Sequence, residues 1–330
     1  MRATNPPCPS AADPATAPPA APPATPATPA GARRRFVETA GGSVAGAFGP
    51  TEWGLLAANS LIWGSSFLLI DLGLLAFRPG VVAMSRVLLG VAALALFRRA
   101  RTPVARQDLP RVAFLGLIWI GLPMLLFPIA QQWITSSVAG MINGAMPLFA
   151  AAWSVALLRR LPGRRQLAGL ALGFLGIAAI SWPELQGSRA TTLGVGLVVL
   201  AIALYGLAAN VAVPLQQRYG ALPVLLRAQL AALVVVVPFG LWSLPGSTWG
   251  WPSALAMLPL GVLGTGVAFV LMTTLVGRVG ASRGSIAVYF IPVVAIVLGV
   301  GLLGEPLAPS AVAGTGLVLT GAWLGSRSEG

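Results

Sequence analysis

Thr191–Val213 reads TTLGVGLVVLAIALYGLAANVAV, 23 residues without a charge. Crossing the hydrocarbon core takes roughly 20 mostly apolar residues, and this run has both the length and the character. In lipid a backbone must satisfy its own hydrogen bonds, which a helix does and an open sheet edge cannot. An outer-membrane barrel would alternate apolar and polar residues, whereas Leu, Val, Ala and Ile run on continuously here. Working outward, nine more stretches read the same way: 53–72, 79–97, 111–132, 137–158, 165–183, 222–243, 252–276, 284–303 and 308–325. The predicted fold class is therefore an all-α membrane protein with ten transmembrane helices.

Composition agrees, since a chain that is 56% hydrophobic and 9% charged would aggregate in water. The net charge of +13 comes from arginine alone, with no lysine. A basic balance of that size suggests nucleic acid in a soluble protein, but these arginines sit between the apolar runs. No nucleic-acid module, Walker-type loop or metal-ligand cluster appears. With no histidine and one cysteine, Cys8, a disulfide framework or a His/Cys metal site within one chain is excluded, and neither a cofactor nor a metal is expected. Residues 1–50 form a separate region. Ten prolines and ten alanines among the first 30 residues cannot bury a core, so a disordered tail is expected.

The arginines also orient the chain. With a cytoplasmic N-terminus, 13 of them, among them Arg98, Arg106, Arg159, Arg218, Arg278 and Arg327, fall in inside segments, against Arg78 and Arg189 outside. By the positive-inside rule both termini are cytoplasmic. The expected location is the cytoplasmic membrane of a prokaryote, with the glycine, alanine and arginine usage of a GC-rich genome.

The chain repeats itself. A shift of 145 residues superposes Gly116 on Gly261, Gly121 on Gly266, Ser137 on Ser282, Pro147 on Pro292, Gly169 on Gly314 and Gly176 on Gly321. Five helices per repeat is an odd number, so the second copy must be inverted in the membrane. That arrangement is typical of secondary transporters, with a substrate site near the midplane.

These residues resemble a known family. Asn59–Phe67 (NSLIWGSSF) is similar to the first-helix signature of EamA-type transporters of the drug/metabolite transporter superfamily. LGVLGTG at Leu260–Gly266, GASR at Gly280–Arg283, Pro292, and LGEPL at Leu303–Leu307 resemble its second-repeat signature. The resemblance implies a ten-helix inverted-repeat carrier, often an exporter of amino acids, related metabolites or drugs. It divides the chain into a tail (1–50) and two five-helix EamA-like repeats (51–183 and 184–330). Two positions depart from the pattern: Arg160 stands where an acidic residue equivalent to Glu305 is usual, and Asp71 where a basic residue is common.

Candidate site residues follow from what is costly in lipid. Asn59, Trp63 and Ser66, at i, i+4 and i+7, share one helix face that should turn inward. Arg86 lies seven residues after Pro79, about 10 Å into its helix at 1.5 Å per residue. There it either grips a carboxylate or snorkels to the headgroups. Asn143 precedes Pro147 by four residues, and Tyr289 lies beside Pro292. Both prolines free a carbonyl four residues earlier, which makes each a candidate gating kink or a purely structural one. Asp71 and Glu305 are the candidate coupling groups, both near the outer surface. Arg227, five residues from the predicted inner end of its helix, is placed for snorkelling, and Asn210, Gln229, Tyr205, Thr265, Thr273 and Thr274 are expected to make mostly ordinary helix–helix bonds. GASRG at Gly280–Gly284 matches a serine-nucleophile pattern, but without histidine or a preceding strand it is accidental.

The expected function is a secondary transporter, with export as the favoured direction, acting on small metabolites such as amino acids. The alternatives are a membrane-embedded enzyme, which lacks the clustered acids, His or Cys it would need, and a non-transporting scaffold. The partners expected are the lipid bilayer and a small-molecule substrate, with no nucleic acid and with a homodimer left open.

Overall fold

The computed structural model describes residues 49–158, 164–186 and 188–326. The N-terminal tail with Cys8, Arg160, and the side chains of Glu184 and Tyr289 lie outside the described residues. Among the described residues every regular element is helical and there is no β-strand. The first half comprises α1 (Pro50–Leu74), α2 (Pro79–Ala95), α3 (Leu109–Gly116), α4 (Leu122–Ala130), α5 (Ser136–Asn143), α6 (Met146–Leu158) and α7 (Arg164–Leu185). The second comprises α8 (Arg189–Tyr219), α9 (Ala221–Ser243), α10 (Trp251–Pro259), α11 (Ala268–Val279), α12 (Ala281–Gly284), α13 (Ile291–Leu303) and α14 (Pro309–Ser326).

Among the described residues, six helical stretches are long and apolar enough to cross a membrane: Pro50–Leu74, Arg106–Ala130, Ser136–Leu157, Arg189–Tyr219, Ala221–Gly246 and Trp251–Val279. Pro79–Ala95, Leu167–Pro183 and Ile291–Leu303 are shorter apolar helices. The protein is thus a multi-pass membrane protein.

Local chemistry explains where helices start and stop. Pro50 and Pro79 open α1 and α2 at the first helical position, where the missing N–H costs nothing. The Ser188 hydroxyl accepts from Thr191 N at 3.2 Å and caps α8. α8 and α11 end on Gly220 (φ 78°) and Gly280 (φ 85°), each followed at once by another helix. A reversal through one residue requires positive φ, which glycine alone adopts freely.

Two irregularities recur in the 145-residue register. π-Helical turns, which open the helix by one residue and favour functional sites, join α3 to α4 at Leu117–Gly121 and α10 to α11 at Leu260–Val267. A shift of 145 carries the first onto residues 262–266 inside the second. α5 stops at Asn143 and α6 restarts at Met146; the 3-10 turn Ser285–Phe290 gives way to α13 at Ile291, the same register. Pro147 and Pro292 therefore open α6 and α13 in their first turns. A proline in mid-helix would clash with the carbonyl four residues back, and here the helix breaks ahead of it.

α7 and α14, related by the same shift, pack directly on each other. A Cβ at Gly176 would stand 2.7 Å from Gly314 O, and one at Gly321 would stand 2.5 Å from Gly169 O. Since Gly169 corresponds to Gly314 and Gly176 to Gly321, the two contacts are each other's copies. The pairing is antiparallel: the later residue of one helix meets the earlier residue of the other. Small residues here let the backbones touch.

Outward-facing side chains are apolar, Leu61, Leu200, Val234 and Val297 among them, as lipid requires. Trp53, Trp133, Trp242, Trp249 and Trp251 are exposed at helix ends, where membrane tryptophans meet the headgroups. Trp63 and Trp119 are instead buried, with Trp63 and Trp119 each edge-on to Phe269 (5.1 and 5.6 Å).

Hydrogen bonds close both ends of the bundle. At one end Glu52 pairs with Arg278 (Nε to Oε1, 2.7 Å), and Asp108 accepts from Arg218 (2.8 Å) and the Tyr219 hydroxyl. At the other, Arg78 Nε donates to Gly246 O (3.0 Å), and Ser253 Oγ to Leu72 O (2.7 Å).

Candidate functional site

Midway along the bundle lies a cavity of about 30 Å³ lined by Trp63, Ser66, Phe67, Ile70, Arg86, Phe127, Asn143 and Tyr205. That volume holds a water or two, far below the several hundred Å³ of a ligand pocket. All eight lining residues are buried. α1 contributes four of them because residues at i, i+3, i+4 and i+7 lie on one helix face.

Arg86 does not snorkel. It is 3% exposed, and its Nε donates to Thr265 Oγ1 at 3.0 Å. Among the described residues its guanidinium has no second hydrogen bond and no carboxylate within ion-pair distance. A buried charge without a counter-ion is costly by several kcal/mol, of order 3–5 when one partner of a buried pair is missing. A planar fork of donors facing a cavity is suited to a carboxylate.

The π turn Leu260–Val267 holds two of the site's groups. Trp63 Nε1 donates to Gly264 O (3.0 Å), and the Thr265 hydroxyl meets Arg86. A Cβ at Gly264 would stand 2.9 Å from Ser66 Oγ and 3.8 Å from Arg86 Nη2, so glycine makes room for the site. The Trp63 ring lies parallel to Tyr205 at 6.3 Å, and Phe127 is 5.5 Å from Phe67 edge-on. Four of the eight lining residues are therefore aromatic.

Four of the sequence candidates, Trp63, Ser66, Arg86 and Asn143, line this one cavity, with Asn143 Oδ1 buried and without a hydrogen-bond partner. Asn59 is different: it is fully buried, neither amide atom has a partner, and it does not line the cavity. The reason is packing. One residue on, Ser60 Oγ donates to Ala287 O, and a Cβ at Gly64 would run into Val294, so this part of α1 lies directly against the second repeat. Tyr289 falls among the side chains outside the described residues. Pro147 and Pro292 sit at the helix restarts and are not among the residues lining this cavity.

Tyr205, Phe67, Ile70 and Phe127 complete the cavity without having been singled out for it. Tyr205 had the signal that marked Trp63, an amphipathic ring in mid-helix away from the headgroups. Arg227 bonds Pro223 O (3.1 Å) and Ala100 O (3.3 Å), Asn210 bonds Ala150 O (2.9 Å), and Gln229 bonds Thr265 O; all three join helices.

Asp71 and Glu305 lie in a second, larger pocket of about 410 Å³, with Gln131, Gln132, Trp133, Ile134, Thr135 and Leu303. Glu305 caps α5: Oε1 accepts from Ser136 N (2.8 Å) and Ser136 Oγ (2.7 Å), and Oε2 from Ser137 N (2.9 Å). A carboxylate at a helix N-terminus is favoured by the free N–H groups and the dipole. No group of three His, Cys, Asp or Glu close enough to hold a metal exists among the described residues.

Comparison with known proteins accords with this geometry. An archaeal protein from Archaeoglobus fulgidus, named an uncharacterized transporter, is 26% identical over 84% of this chain and 99% of its own. A probable terminal-alkyne amino-acid exporter from Streptantibioticus cattleyicolor is 28% identical over 82% of this chain and 92% of its own. A probable amino-acid metabolite efflux pump from Salmonella typhimurium is 27% identical over 80% and 91%. One crystal structure superposes with a TM-score of 0.58 at 17% identity, covering 83% of this chain and 96% of that one, which shows a shared fold. The description of the EamA-like transporter family matches residues 53–182 and again 192–327, one match per repeat, and the chain belongs to that family.

Proposed function

We propose that this protein is a secondary carrier that exports small zwitterionic or carboxylate-bearing metabolites, amino acids or their relatives, across the cytoplasmic membrane. The observation that carries the reading is Arg86, a buried cation with one neutral hydrogen bond, lining a small cavity with Trp63, Tyr205 and Phe127. A carboxylate would complete its fork, Asn143 would meet a second polar group, and the rings would take an apolar portion. The exporters among the relatives support the direction.

Transport proceeds by alternating access between two inverted five-helix repeats, 51–183 and 184–330, ten transmembrane helices in all. The antiparallel α7–α14 pairing supports the inversion, because equivalent helices that run oppositely imply a two-fold axis in the membrane plane. Both termini are cytoplasmic. Single cysteines at Ser188 and Ser247 should react with an impermeant thiol reagent from outside, and cysteines at Gln107 and Gly163 should not; the reverse pattern inverts the assignment. Energy coupling is either absent or uses Asp71 or Glu305.

Untargeted metabolite profiling of medium and cells with and without the gene identifies the substrate, and counterflow in vesicles with purified protein establishes transport. A carboxylate-bearing metabolite that moves only when the protein is present supports the reading. Counterflow of neutral or purely cationic compounds alone removes Arg86 from the role given to it.

A further inference from the structure

The 410 Å³ pocket at the outer end of the bundle has the opposite chemistry to the central cavity. Of the groups that line it, Asp71 and Glu305 are acidic and none is basic. The Glu305 oxygens are engaged at the start of α5. The Asp71 carboxylate is not: among the described residues it has no hydrogen bond and no ion pair. Gln131 supplies the second observation. It is 6% exposed, and its Nε2 donates to Phe67 O at 3.0 Å. Its Oε1 has no partner. A buried carbonyl oxygen without a donor costs about as much as a lost hydrogen bond, so it calls for a donor from elsewhere. An unpaired carboxylate and an unpaired amide oxygen, with Trp133 beside them, fit a donor-rich cation.

The two sites are stacked. Ile70 lines the central cavity and Asp71, the next residue of α1, lines the outer pocket. Gln131 bonds the carbonyl of Phe67, whose ring forms a T-shaped pair with Phe127 on the wall of the central cavity. The Phe67–Phe127 pair thus belongs to the wall of the central cavity and is tied through Gln131 to the outer pocket. Unlike the central cavity, the pocket is large enough for a molecule of amino-acid size.

We infer that the outer pocket is a binding site for a primary ammonium group, held by Asp71 and Gln131 Oε1, and that it receives the amino end of a zwitterion as the substrate passes the Phe67–Phe127 pair. This rests on the carrier reading for the identity of the occupant. The binding itself is tested without transport.

The test uses full-length protein in vesicles with Cys8→Ser and Gln132→Cys, Gln132 being an exposed residue on the pocket lining. The rate of thiol alkylation is followed against n-butylammonium chloride, sodium chloride and sodium butyrate. n-Butylammonium should protect, and neither sodium salt should. Asp71→Asn should raise the half-protecting concentration about tenfold, the effect of losing one hydrogen bond to a charged group. Asp71→Glu should restore it, and an unchanged alkylation rate without ligand shows that each variant is folded. Equal protection by sodium chloride would make the site a general cation site and overturn the assignment. So would protection by butyrate, or protection by n-butylammonium that survives Asp71→Asn. Protection that behaves as expected in a protein with no Arg86-dependent transport would retain the pocket and reject the carrier reading instead.

Discussion

The two repeats share a backbone and divide the work. Seven of the eight residues lining the central cavity come from the first repeat, Trp63 to Asn143; the second contributes Tyr205 directly. It supplies instead the groups that hold others, Gly264 O for Trp63 and the Thr265 hydroxyl for Arg86. Both lie on the π turn Leu260–Val267. The equivalent positions on the first-repeat π turn are Trp119 and Ile120, both fully buried. The same backbone irregularity thus carries two large side chains in one copy and only Gly264 and Thr265 in the other. Duplication supplies the frame. The site depends on the divergence of side chains at matched positions.

The largest effect should come from erasing that difference. Gly264→Trp with Thr265→Ile gives the second π turn the side chains of the first. With Ser66 Oγ already 2.9 Å from the place of a Cβ, the new ring cannot coexist with the site. Counterflow should fall by about 100-fold or more, as for a mispositioned reacting centre. Near-normal counterflow would mean that the site lies elsewhere in the bundle.

Arg86→Lys is next. It keeps the charge and loses both the planar fork and the hydrogen bond to Thr265, so apparent affinity for a carboxylate substrate should fall about tenfold. A snorkelling arginine would tolerate the change, and an unaltered half-saturating concentration would place the carboxylate elsewhere. Thr265→Val isolates the contribution of the second repeat. It removes only the hydroxyl that orients Arg86, worth about 0.5–1.5 kcal/mol, or a few-fold in affinity. Arg86→Lys in the Thr265→Val background should then cost less than in the wild type, since both act through one guanidinium.

The smallest effect belongs to the first-repeat turn. Ile120→Val deletes one buried methylene and should lower stability by about 0.5–1.5 kcal/mol. Counterflow per folded molecule should stay at the wild-type level. If Ile120→Val impairs transport as much as Thr265→Val does, the proposed division between the two turns fails.

Much of this molecule was legible before any coordinates. Long apolar runs dictate helices because lipid offers the backbone no alternative partner. The 145-residue register, read from glycines and prolines, reappears in the π turns, the helix restarts and the α7–α14 contacts, because those residue types are chosen by backbone geometry. Trp63, Ser66, Arg86 and Asn143 could be picked out because a polar or amphipathic side chain in mid-span needs a reason to be there.

What only the tertiary structure decided is which of those groups share a space. Asn59 and Trp63 lie one turn apart on α1, yet only Trp63 lines the cavity, because Ser60 and Gly64 bring that part of the helix against the second repeat. Arg86 could have snorkelled; its burial follows from α2 packing on the π turn that supplies Thr265, a residue 179 positions away. Glu305 reads as an outer-surface acid and proves to be the cap of α5. Phe67, Ile70 and Phe127 are ordinary apolar residues in sequence and become walls through the crossing of α1 and α4. Hydrophobic length and backbone demand are properties of a segment and so are written locally. Cavity lining, hydrogen-bond partners and missing counter-ions depend on contacts between segments far apart in the chain, and only packing brings those together.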